Sequence, residues 1–363
     1  MIDYIALKHV GPASSMNVNF APKLNILTGD NGLGKTFILD IAWFILTRTW
    51  PQLPALPHRG KDIQPEIEFR KVWKDGLTKP LKISYHFRSQ KWGWESWDLS
   101  HDGLALYVRA DGGVSVWDQT KNYSERFDAE GVDKYFPIEA IHFSSNDIYN
   151  GISKADKVLC NGLIRDWVNW QYQKKDIFKI FTNVLEILSP DSIEVIKPGE
   201  PMRVSVEDAR DIPTINLPYG TVPVTHASAG MKRVLSIAYL MVWAWNEHRA
   251  ASTILNQEPT KHFVILFDEV EAHLHPQWQR TFMPALFEAV NILEADLKVQ
   301  VIASTHAPLV LASVETIFCE DKDKILSFEL QKDNVVINEI PWAKQGDVVN
   351  WLVSEAFGLH QSF

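Results

Sequence analysis

The sequence predicts an α/β protein whose core is a parallel sheet built from two distant segments of the chain. The second segment alternates between helix and strand, with predicted elements at residues 231–245, 262–267, 276–293 and 299–303. Such alternation is typical of a parallel sheet with crossover helices. In the first segment, the unbroken apolar run at residues 24–28 has the pattern of a strand buried on both faces.

Residues 1–50 and 226–363 are the predicted halves of this core. In the N-terminal half, strands are predicted at residues 4–10, 16–20 and 24–28, and a helix at about 35–47. Pro51 follows this helix and cannot continue it. In the C-terminal half, the elements given above are followed by two strands and a helix, at residues 326–330, 335–340 and about 347–357.

Residues 51–225 are a predicted insertion between the halves, consisting of a β-rich arm and a helical segment. Residues 82–87 and 104–108 have the pattern of antiparallel strands, and Asp111-Gly112-Gly113 has the composition of a hairpin turn. Helical periodicity runs over residues 155–188, and residues 193–206 are strand-like again.

A glycine-rich loop follows the buried strand at residues 24–28. It consists of Gly29, Asp30, Asn31, Gly32, Leu33, Gly34, Lys35 and Thr36. This run fits G-x-x-x-x-G-K-[ST] without a mismatch, and a predicted helix follows it, so it is a phosphate-binding loop by pattern and by context. The backbone N–H groups and the helix N-terminus bind phosphate oxygens. Lys35 is expected to reach the β- and γ-phosphates of ATP, and the Thr36 hydroxyl is expected to hold Mg²⁺.

A second apolar strand, at residues 262–267, runs directly into Asp268 and Glu269. P-loop ATPases present a metal-organising acid and a base in this way, beside the nucleotide. We therefore expect Asp268 to orient Mg²⁺ and Glu269 to polarise the attacking water. Without the P-loop, the same pair could be only a solvated strand end.

The segment Ala227-Ser228-Ala229-Gly230-Met231 stands directly before a long predicted helix. Ser228 can cap this helix, and the free N–H groups of the first turn can hold a phosphate. The segment resembles the signature of the ABC superfamily of ATPases, whose usual form is Leu-Ser-Gly-Gly-Gln. Ser228 and Gly230 match this form, whereas Ala227, Ala229 and Met231 depart from it.

The order of the motifs is also that of the ABC/SMC superfamily. The resemblance implies an ABC-type ATPase head, with N-terminal antiparallel strands beside the P-loop sheet, that works as a head-to-tail homodimer with composite ATP sites. Residues 271–276 resemble the dimer-contacting loop of the family, and His306 resembles the switch histidine that contacts the γ-phosphate. Asn146 is the candidate for the position of the Q-loop glutamine. Two roles stay open for His273 and His275, which can line the nucleotide or form a His-x-His metal pattern.

The chain is most similar to compact prokaryotic ATPases of the RecF and OLD groups, which include ATPase subunits of anti-phage systems such as Septu and retron-linked systems. The insertion is too short for the long coiled coil of an SMC protein. The stretch after His306 is too short for the nuclease domain of OLD proteins, although a C-terminal tail can be missing here. The resemblance implies a sensor or regulator of an anti-phage or DNA-maintenance complex, with a nuclease or other effector on a separate chain. A RecF-like DNA-repair clamp and an energy-coupling subunit of another complex or transporter are the alternatives.

Charge is spread unevenly along the chain. The net charge is −9, which argues against a protein that coats duplex DNA non-specifically. Residues 57–92 nevertheless carry nine Lys/Arg against four Asp/Glu, a net charge of +5. Trp73, Tyr85, Phe87 and Trp92 interleave with these cations. Three interpretations stay open: a DNA-binding surface, the polar face of a small sheet, and a surface for an acidic protein.

Cysteine use and hydropathy predict a cytoplasmic protein without a membrane partner. The two cysteines, Cys160 and Cys319, lie far apart in sequence and are expected to be buried free thiols in a reducing cytosol. No apolar run approaches the roughly 18–20 residues that cross a bilayer.

Overall fold

The computed structural model describes residues 1–73, 76–77, 79–94, 103–127, 133–137, 139–191, 193–332, 334–342, 344 and 351. The helix predicted at about 347–357 lies outside the described residues except for Trp351, which is buried against the core. Within the described ranges, no helix has the length and apolar character that crossing a membrane requires.

The described part of the chain contains strands and helices of the following bounds. The strands are β1 (Ile2–Lys8), β2 (Ser15–Asn19), β3 (Leu24–Gly29), β4 (Glu66–Trp73), β5 (Gly76–Leu77), β6 (Leu81–His86), β7 (Lys91–Trp94), β8 (Leu104–Val108), β9 (Val114–Asp118), β10 (Tyr123–Phe127), β11 (Asp133–Pro137), β12 (Ile141–Phe143), β13 (Ile152–Lys154), β14 (Lys157–Cys160), β15 (Lys197–Arg203), β16 (Asp211–Leu217), β17 (Gly220–Pro223), β18 (His262–Phe267), β19 (Lys298–Ser304), β20 (Asp323–Gln331) and β21 (Asn334–Ile340). The α-helices are α1 (Lys35–Thr47), α2 (Gln119–Asn122), α3 (Ser145–Asn150), α4 (Leu163–Tyr172), α5 (Asp176–Ile187), α6 (Ala229–Ile254), α7 (Pro276–Leu293) and α8 (Pro308–Val314). A short 3₁₀ helix (Val224–His226) precedes α6.

The centre of the molecule is an eight-stranded sheet in the order β12-β9-β8-β18-β19-β3-β20-β21. The five inner strands, from β8 to β20, are parallel, so their carboxyl ends meet at one edge of the sheet. Side chains of each strand alternate between its two faces. On β18, Phe263 and Ile265 therefore join the apolar core on the side of α4 to α8, whereas Val264 joins the core on the side of α1. The predicted α/β class with a parallel P-loop sheet is confirmed.

A second sheet, antiparallel and six-stranded, covers α1 and has the strand order β2-β1-β4-β6-β7, with β5 paired to β4. Gln300 on β19 ties it to the central sheet. This fully buried amide accepts a hydrogen bond from the backbone N–H of Ile2 at 2.8 Å, and it donates to the carbonyls of Ile2 and Ala21 at 2.7 and 2.9 Å. The N-terminal antiparallel strands expected beside the P-loop sheet are thereby held in place.

The strand Leu104–Val108 is not part of a separate arm, contrary to our prediction. It forms the expected antiparallel hairpin with β9, but its other edge pairs in parallel with β18, with Phe263 opposite Leu104. All five of its residues are buried, because a central strand is covered on both faces. The predicted insertion thus supplies three strands of the central sheet, namely β8, β9 and β12.

The helix predicted at residues 155–188 is also different in the structure. Its first part is the hairpin β13–β14, and the remainder is two helices, α4 and α5, separated near Lys174, whose φ is 50°. Gly151 and Gly162 close the hairpin. A side chain at Gly162 would lie 2.3 Å from the backbone nitrogen of Gly151, and both glycines have positive φ. The two cysteines are free as expected, but Cys319 is exposed and only Cys160 is buried.

Candidate functional site

The P-loop connects β3 to α1 and depends on glycines at two close approaches. Gly29 has a φ of 119°, and a side chain there would lie 2.2 Å from the carbonyl oxygen of Phe328. Gly34 has a φ of 96°, and a side chain there would lie 2.7 Å from the ring of Pro12. Helix α1 begins directly after this turn, at Lys35, so its free N–H groups face the loop.

Lys35 is folded onto the loop that precedes it. Its ammonium donates to the carbonyl oxygens of Gly29 and Asp30, at 2.7 Å each, and the residue is only 6% exposed. Burial lowers the pKa of Lys35, while the carboxylates of Asp30 and Asp268 oppose this shift. A phosphate that enters the loop offers the ammonium a charged acceptor in place of two neutral carbonyls.

Asp268 is the buried acid at the end of β18. Its carboxylate accepts a hydrogen bond from the Thr36 hydroxyl, which lies 2.9 and 3.1 Å from its two oxygens, and another from the Ser304 hydroxyl at 2.9 Å. The Ser304 oxygen in turn accepts from the backbone N–H of Glu269 at 2.8 Å. Ser304 is a site residue that the sequence analysis missed. Its only signal was its place in the Ala-Ser-Thr-His run that ends at His306.

Glu269 and His306 lie on the wall of the same pocket. The cavity has a volume of about 320 Å³, and it is lined by Asn31, Gly32, Gly34, Lys35, Thr36, Phe37, Asp268, Glu269, Ser304 and His306. Glu269 has a φ of 51°, a left-handed conformation that is costly for a residue with a side chain and recurs at functional sites. Burial and the charge of Lys35 lower the pKa of His306, so a neutral imidazole faces the pocket.

These groups fit a nucleotide with a hard metal ion. Thr36 and Asp268 place a hydroxyl and a carboxylate against each other, and oxygen donors of this kind hold Mg²⁺ beside nucleotide phosphates. The ion completes its shell with phosphate oxygens and water, so two protein ligands are sufficient. The structure brings together the predicted residues of the P-loop, the acidic strand end and the histidine.

Ser228, Ala229 and Gly230 do not line this pocket. They form the start of α6, where the Ser228 hydroxyl accepts from the backbone N–H of Met231 at 3.3 Å. Ser228 and Ala229 are exposed. A side chain at Gly230 would lie 2.6 Å from the carbonyl oxygen of His273, so the first turn of α6 packs tightly against the loop that follows the acidic strand. The predicted signature residues therefore lie outside the P-loop cavity of their own chain.

Asn146 lies beside α6 and not at the P-loop. It is in α3 and accepts a hydrogen bond from the side chain of Asn150 at 2.8 Å. Both line a second cavity, of about 510 Å³, along the first two turns of α6. The chain next to Asp268 at the sheet edge is the end of β8, where the carbonyl oxygen of Val108 accepts from the Asp268 N–H. The predicted bridge from Asn146 to the P-loop is absent among the described contacts.

Arg233 connects the two cavities and was not predicted. This buried side chain lines the second cavity, and its guanidinium donates to the backbone carbonyls of Asp268 and Glu269 at 3.3 and 3.0 Å. It also donates to the carbonyl of Arg109 at 3.2 Å. A shift of α6 would therefore act on the backbone that carries both acids.

His273 and His275 have no partners for a metal ion in the described part of the chain. No group of three or more His, Cys, Asp or Glu there has the proximity that a metal site needs. The His275 ring accepts from the backbone N–H of Gln277 at 3.4 Å and caps α7. His273 is exposed and lines the second cavity, so it faces the signature helix.

Part of the positive charge of residues 57–92 is used within the antiparallel sheet. Lys82 pairs with Glu66 and Glu68 at 3.2 and 3.3 Å, Arg70 pairs with Asp3 at 2.5 Å, and Lys71 is buried. This agrees with the polar face of a small sheet. Among the described residues of the stretch, the exposed cations without an ion pair are Arg59, Lys61, Lys79, Arg88 and Lys91.

The aromatic side chains of this stretch offer little stacking surface. Trp92 is 9% exposed, and its indole N–H donates to the carbonyl of Ala55 at 2.9 Å. Tyr85 packs edge-on against Trp92 and Phe87. Phe87 itself is 45% exposed, and the Trp73 side chain lies outside the described residues. A nucleic acid bound here would be held mainly by its phosphates, since Phe87 is the exposed aromatic side chain among those described in this stretch.

Comparisons with known proteins agree with these motifs. A family described as "AAA domain, putative AbiEii toxin, Type IV TA system" matches residues 215–312, which include α6, both acids and His306. Septu protein PtuA of Bacillus thuringiensis is 21% identical over 369 residues, which cover 100% of this chain and 85% of that protein. Retron Vc95 probable ATPase of Vibrio cholerae serotype O1 biovar El Tor is 41% identical over 51 residues, which are 14% of this chain and 9% of that protein.

A solved structure, the SMC head bound to the C-terminal winged-helix domain of ScpA, superimposes with a TM-score of 0.49 and 14% identity, over 93% of this chain and 97% of that one. The sequence similarities confirm the resemblance to Septu-type and retron-linked ATPases that the motifs predicted. The chain thus combines a P-loop NTPase site with an α/β fold, and its similarity to Septu protein PtuA extends over all 363 residues.

Replacing Lys35 by Ala should weaken ATP binding by roughly tenfold to more than a hundredfold, because it removes a charge-assisted contact to phosphate. Titration with a fluorescent ATP analogue measures this affinity. Lys261→Ala is the control, because Lys261 is an exposed residue outside both cavities, 70% of whose side chain is exposed. Equal affinities in the two variants would contradict the assignment of residues 29–36 as the nucleotide site.

Proposed function

We propose that this chain, a P-loop NTPase similar along its whole length to Septu protein PtuA, binds and hydrolyses ATP as a head-to-tail homodimer. One observation carries the proposal. The P-loop, Asp268, Glu269 and His306 surround one cavity, whereas Ser228, Ala229 and Gly230 lie outside it, with Ser228 and Ala229 exposed. A helix start that lies outside the nucleotide cavity of its own chain is available to a second copy.

Each group around the P-loop cavity has a role in this scheme. Lys35 binds the β- and γ-phosphates, and the loop N–H groups cradle them. Thr36 and Asp268 hold Mg²⁺, which neutralises phosphate charge when bound. Glu269 lies beside this pair and accepts the proton of the attacking water. The neutral ring of His306 donates a hydrogen bond to the γ-phosphate as charge develops there.

Ser304 supports both acids at once. Its hydroxyl donates to the Asp268 carboxylate while its oxygen accepts from the Glu269 N–H, so one side chain sets the spacing of the metal ligand and the base. Both acids belong to one strand end, so the water and the metal ion are positioned by the same rigid element. Hydrolysis therefore depends on the register between β18 and β19.

The partner's γ-phosphate would be bound by the start of α6. The Ser228 hydroxyl oxygen accepts from the N–H of Met231, and Ser228 and Ala229 are exposed. An anion could therefore reach the exposed start of the helix, where N–H groups have no partner within the helix. His273, which touches Gly230 and is exposed, would lie in the same dimer contact. Asn146 would then face the partner's nucleotide from the second cavity, rather than the nucleotide of its own chain.

The biological role that we propose is a sensor or regulator in an anti-phage defence complex, with a nuclease or other effector on a separate chain. The full-length similarity to Septu protein PtuA and the local similarity to Retron Vc95 probable ATPase support this proposal. ATP-driven closure of the dimer would bring the two antiparallel sheets and their surfaces into a defined arrangement for the effector. Co-purification with the product of a neighbouring nuclease gene tests the partner.

Glu269→Gln should accumulate an ATP-bound dimer, because it removes the base and leaves the Mg²⁺ ligands in place. Size-exclusion chromatography with light scattering, with and without ATP and Mg²⁺, measures this at micromolar concentration. Glu288→Gln on the exposed face of α7 is the matched control and should behave as wild type. A Glu269→Gln protein that stays monomeric with ATP bound would contradict the composite site.

Ser228→Arg should bind ATP normally and lose turnover, because the added side chain fills the anion site offered to the partner. Lys35→Ala should lose turnover through its own P-loop. Mixing the two inactive proteins should restore activity, since a mixed dimer pairs the intact P-loop of one chain with the intact signature of the other. Random mixing of independent sites gives roughly a quarter of the wild-type rate. No recovery in the mixture would reject the head-to-tail arrangement.

DNA contact is a further part of the proposal and rests on the unpaired cations. Four of these cations lie at one end of the antiparallel sheet, namely Arg59, Lys61, Arg88 and Lys91. At this end, the N–H of Tyr85 on β6 donates to the carbonyl of Pro65, directly before β4, and β6 turns into β7 with His86 opposite Lys91. Arg88→Ala combined with Lys91→Ala should weaken DNA binding and reduce the slope of log affinity against log salt by up to about 2.

Fluorescence anisotropy with ATP across a salt series measures this slope. The control pair, Lys175→Ala with Lys179→Ala, removes the same charge from the N-cap and first turn of α5. Equal slopes in both pairs would exclude this end of the sheet from DNA contact. Absence of binding by the wild type at low salt would favour an acidic protein partner.

A further inference from the structure

Glu271 lies three residues after Asp268, and both of its carboxylate oxygens are engaged by the loop that carries His306. One oxygen accepts from the Thr305 hydroxyl at 2.7 Å, and the other accepts from the backbone N–H of His306 at 2.5 Å. Glu271 does not line the P-loop cavity, so its link to the nucleotide site runs through its hydrogen bond to His306. The hydrogen bonds of its carboxylate thus go to Thr305 and His306.

The loop that Glu271 holds is fixed on its other side by the P-loop strand. Thr305 is fully buried, and its backbone N–H donates to the carbonyl of Leu27 on β3 at 3.0 Å. The Thr305 oxygen also accepts from the N–H of Ala307 at 3.1 Å. His306 therefore leaves the sheet between two fixed points, the backbone of β3 and the carboxylate of Glu271.

Glu271 also belongs to the loop that touches the signature helix. Its carbonyl accepts from the N–H of Leu274 at 2.9 Å, which closes a tight turn around His273. The carbonyl of His273 is the atom that excludes any side chain at Gly230 on α6. A continuous series of contacts thus runs from the start of α6 through this turn and the Glu271 carboxylate to His306.

We propose that Glu271 is a positioning residue that fixes the direction of the His306 ring and links it to the contact between the 271–276 loop and the signature helix. The inference rests on the proposed ATPase function. When a second copy engages the loop and α6, Glu271 moves with them, and His306 is aligned on the γ-phosphate. Hydrolysis is then tied to dimer closure through one carboxylate, whereas nucleotide binding is not.

This role separates turnover from binding. Glu271→Ala should lower kcat about tenfold to a hundredfold, as expected for loss of charge-assisted hydrogen bonds that orient a catalytic group, with ATP affinity unchanged. Glu271→Gln keeps an acceptor for the His306 N–H and should recover part of kcat. Unchanged ATP affinity shows that both variants are folded.

The decisive measurement is a double-mutant cycle of kcat with His306→Ala. If Glu271 acts through His306, Glu271→Ala should cause no further loss in the His306→Ala background. A full additional loss in that background, or a loss of ATP affinity equal to the loss of kcat, would overturn the positioning role and leave the ATPase function standing. A wild-type protein without ATPase activity would instead overturn the proposed function itself, and the positioning role with it.

Discussion

The arrangement of the site depends on the buried carboxylate of Asp268. It ends β18 and accepts hydrogen bonds from Thr36, which lies at the end of the loop after β3, and from Ser304, which ends β19. Three neighbouring parallel strands therefore bring one group each to a single point. A carboxylate out of water is costly unless its oxygens have partners. The register of these strands and the position of the Asp268 carboxylate therefore constrain each other. The P-loop cavity lies beside this group of hydrogen-bonded side chains.

The backbone after this acid connects the cavity to the remainder of the molecule. Arg233 reaches it from α6 and satisfies the carbonyls of Asp268 and Glu269, while Glu271 reaches the histidine loop from the other direction. The close contact between Gly230 and His273 joins the same loop to the start of α6. The start of α6, the two acids and the histidine are thus joined by a short series of contacts, although Ser228 and Gly230 do not line the P-loop cavity. In a head-to-tail dimer, engagement at one face would be transmitted to the other over a short path.

Strand β8 shows which strand pairings a sequence pattern predicts and which it does not. Its hairpin with β9 is predicted by the Asp111-Gly112-Gly113 turn and by the apolar residues on either side, because both partners are near in sequence. Its parallel pairing with β18 joins residues about 160 positions apart, with no turn to mark it. The unbroken apolar run of β8 was the available signal for a strand covered on both faces. The same holds for the positive stretch at residues 57–92. Its sequence does not show which cations are free, because the burial of Lys71 and the ion pairs of Lys82 depend on strands that pack against one another.

The sequence by itself determined the α/β class, the P-loop and the acidic strand end, and it supplied the proposed signature and histidine. Each of these is a local pattern whose chemistry needs particular residue types at fixed spacing. Tertiary structure decided which groups hold them in place: Ser304, Arg233 and Glu271 act on partners 35 or 36 residues away. It also decided that Asn146 lies beside α6 and that the signature is outside the P-loop cavity. Such contacts follow from strand order and helix packing, which depend on residues far apart in the chain and cannot be predicted from any short segment of it.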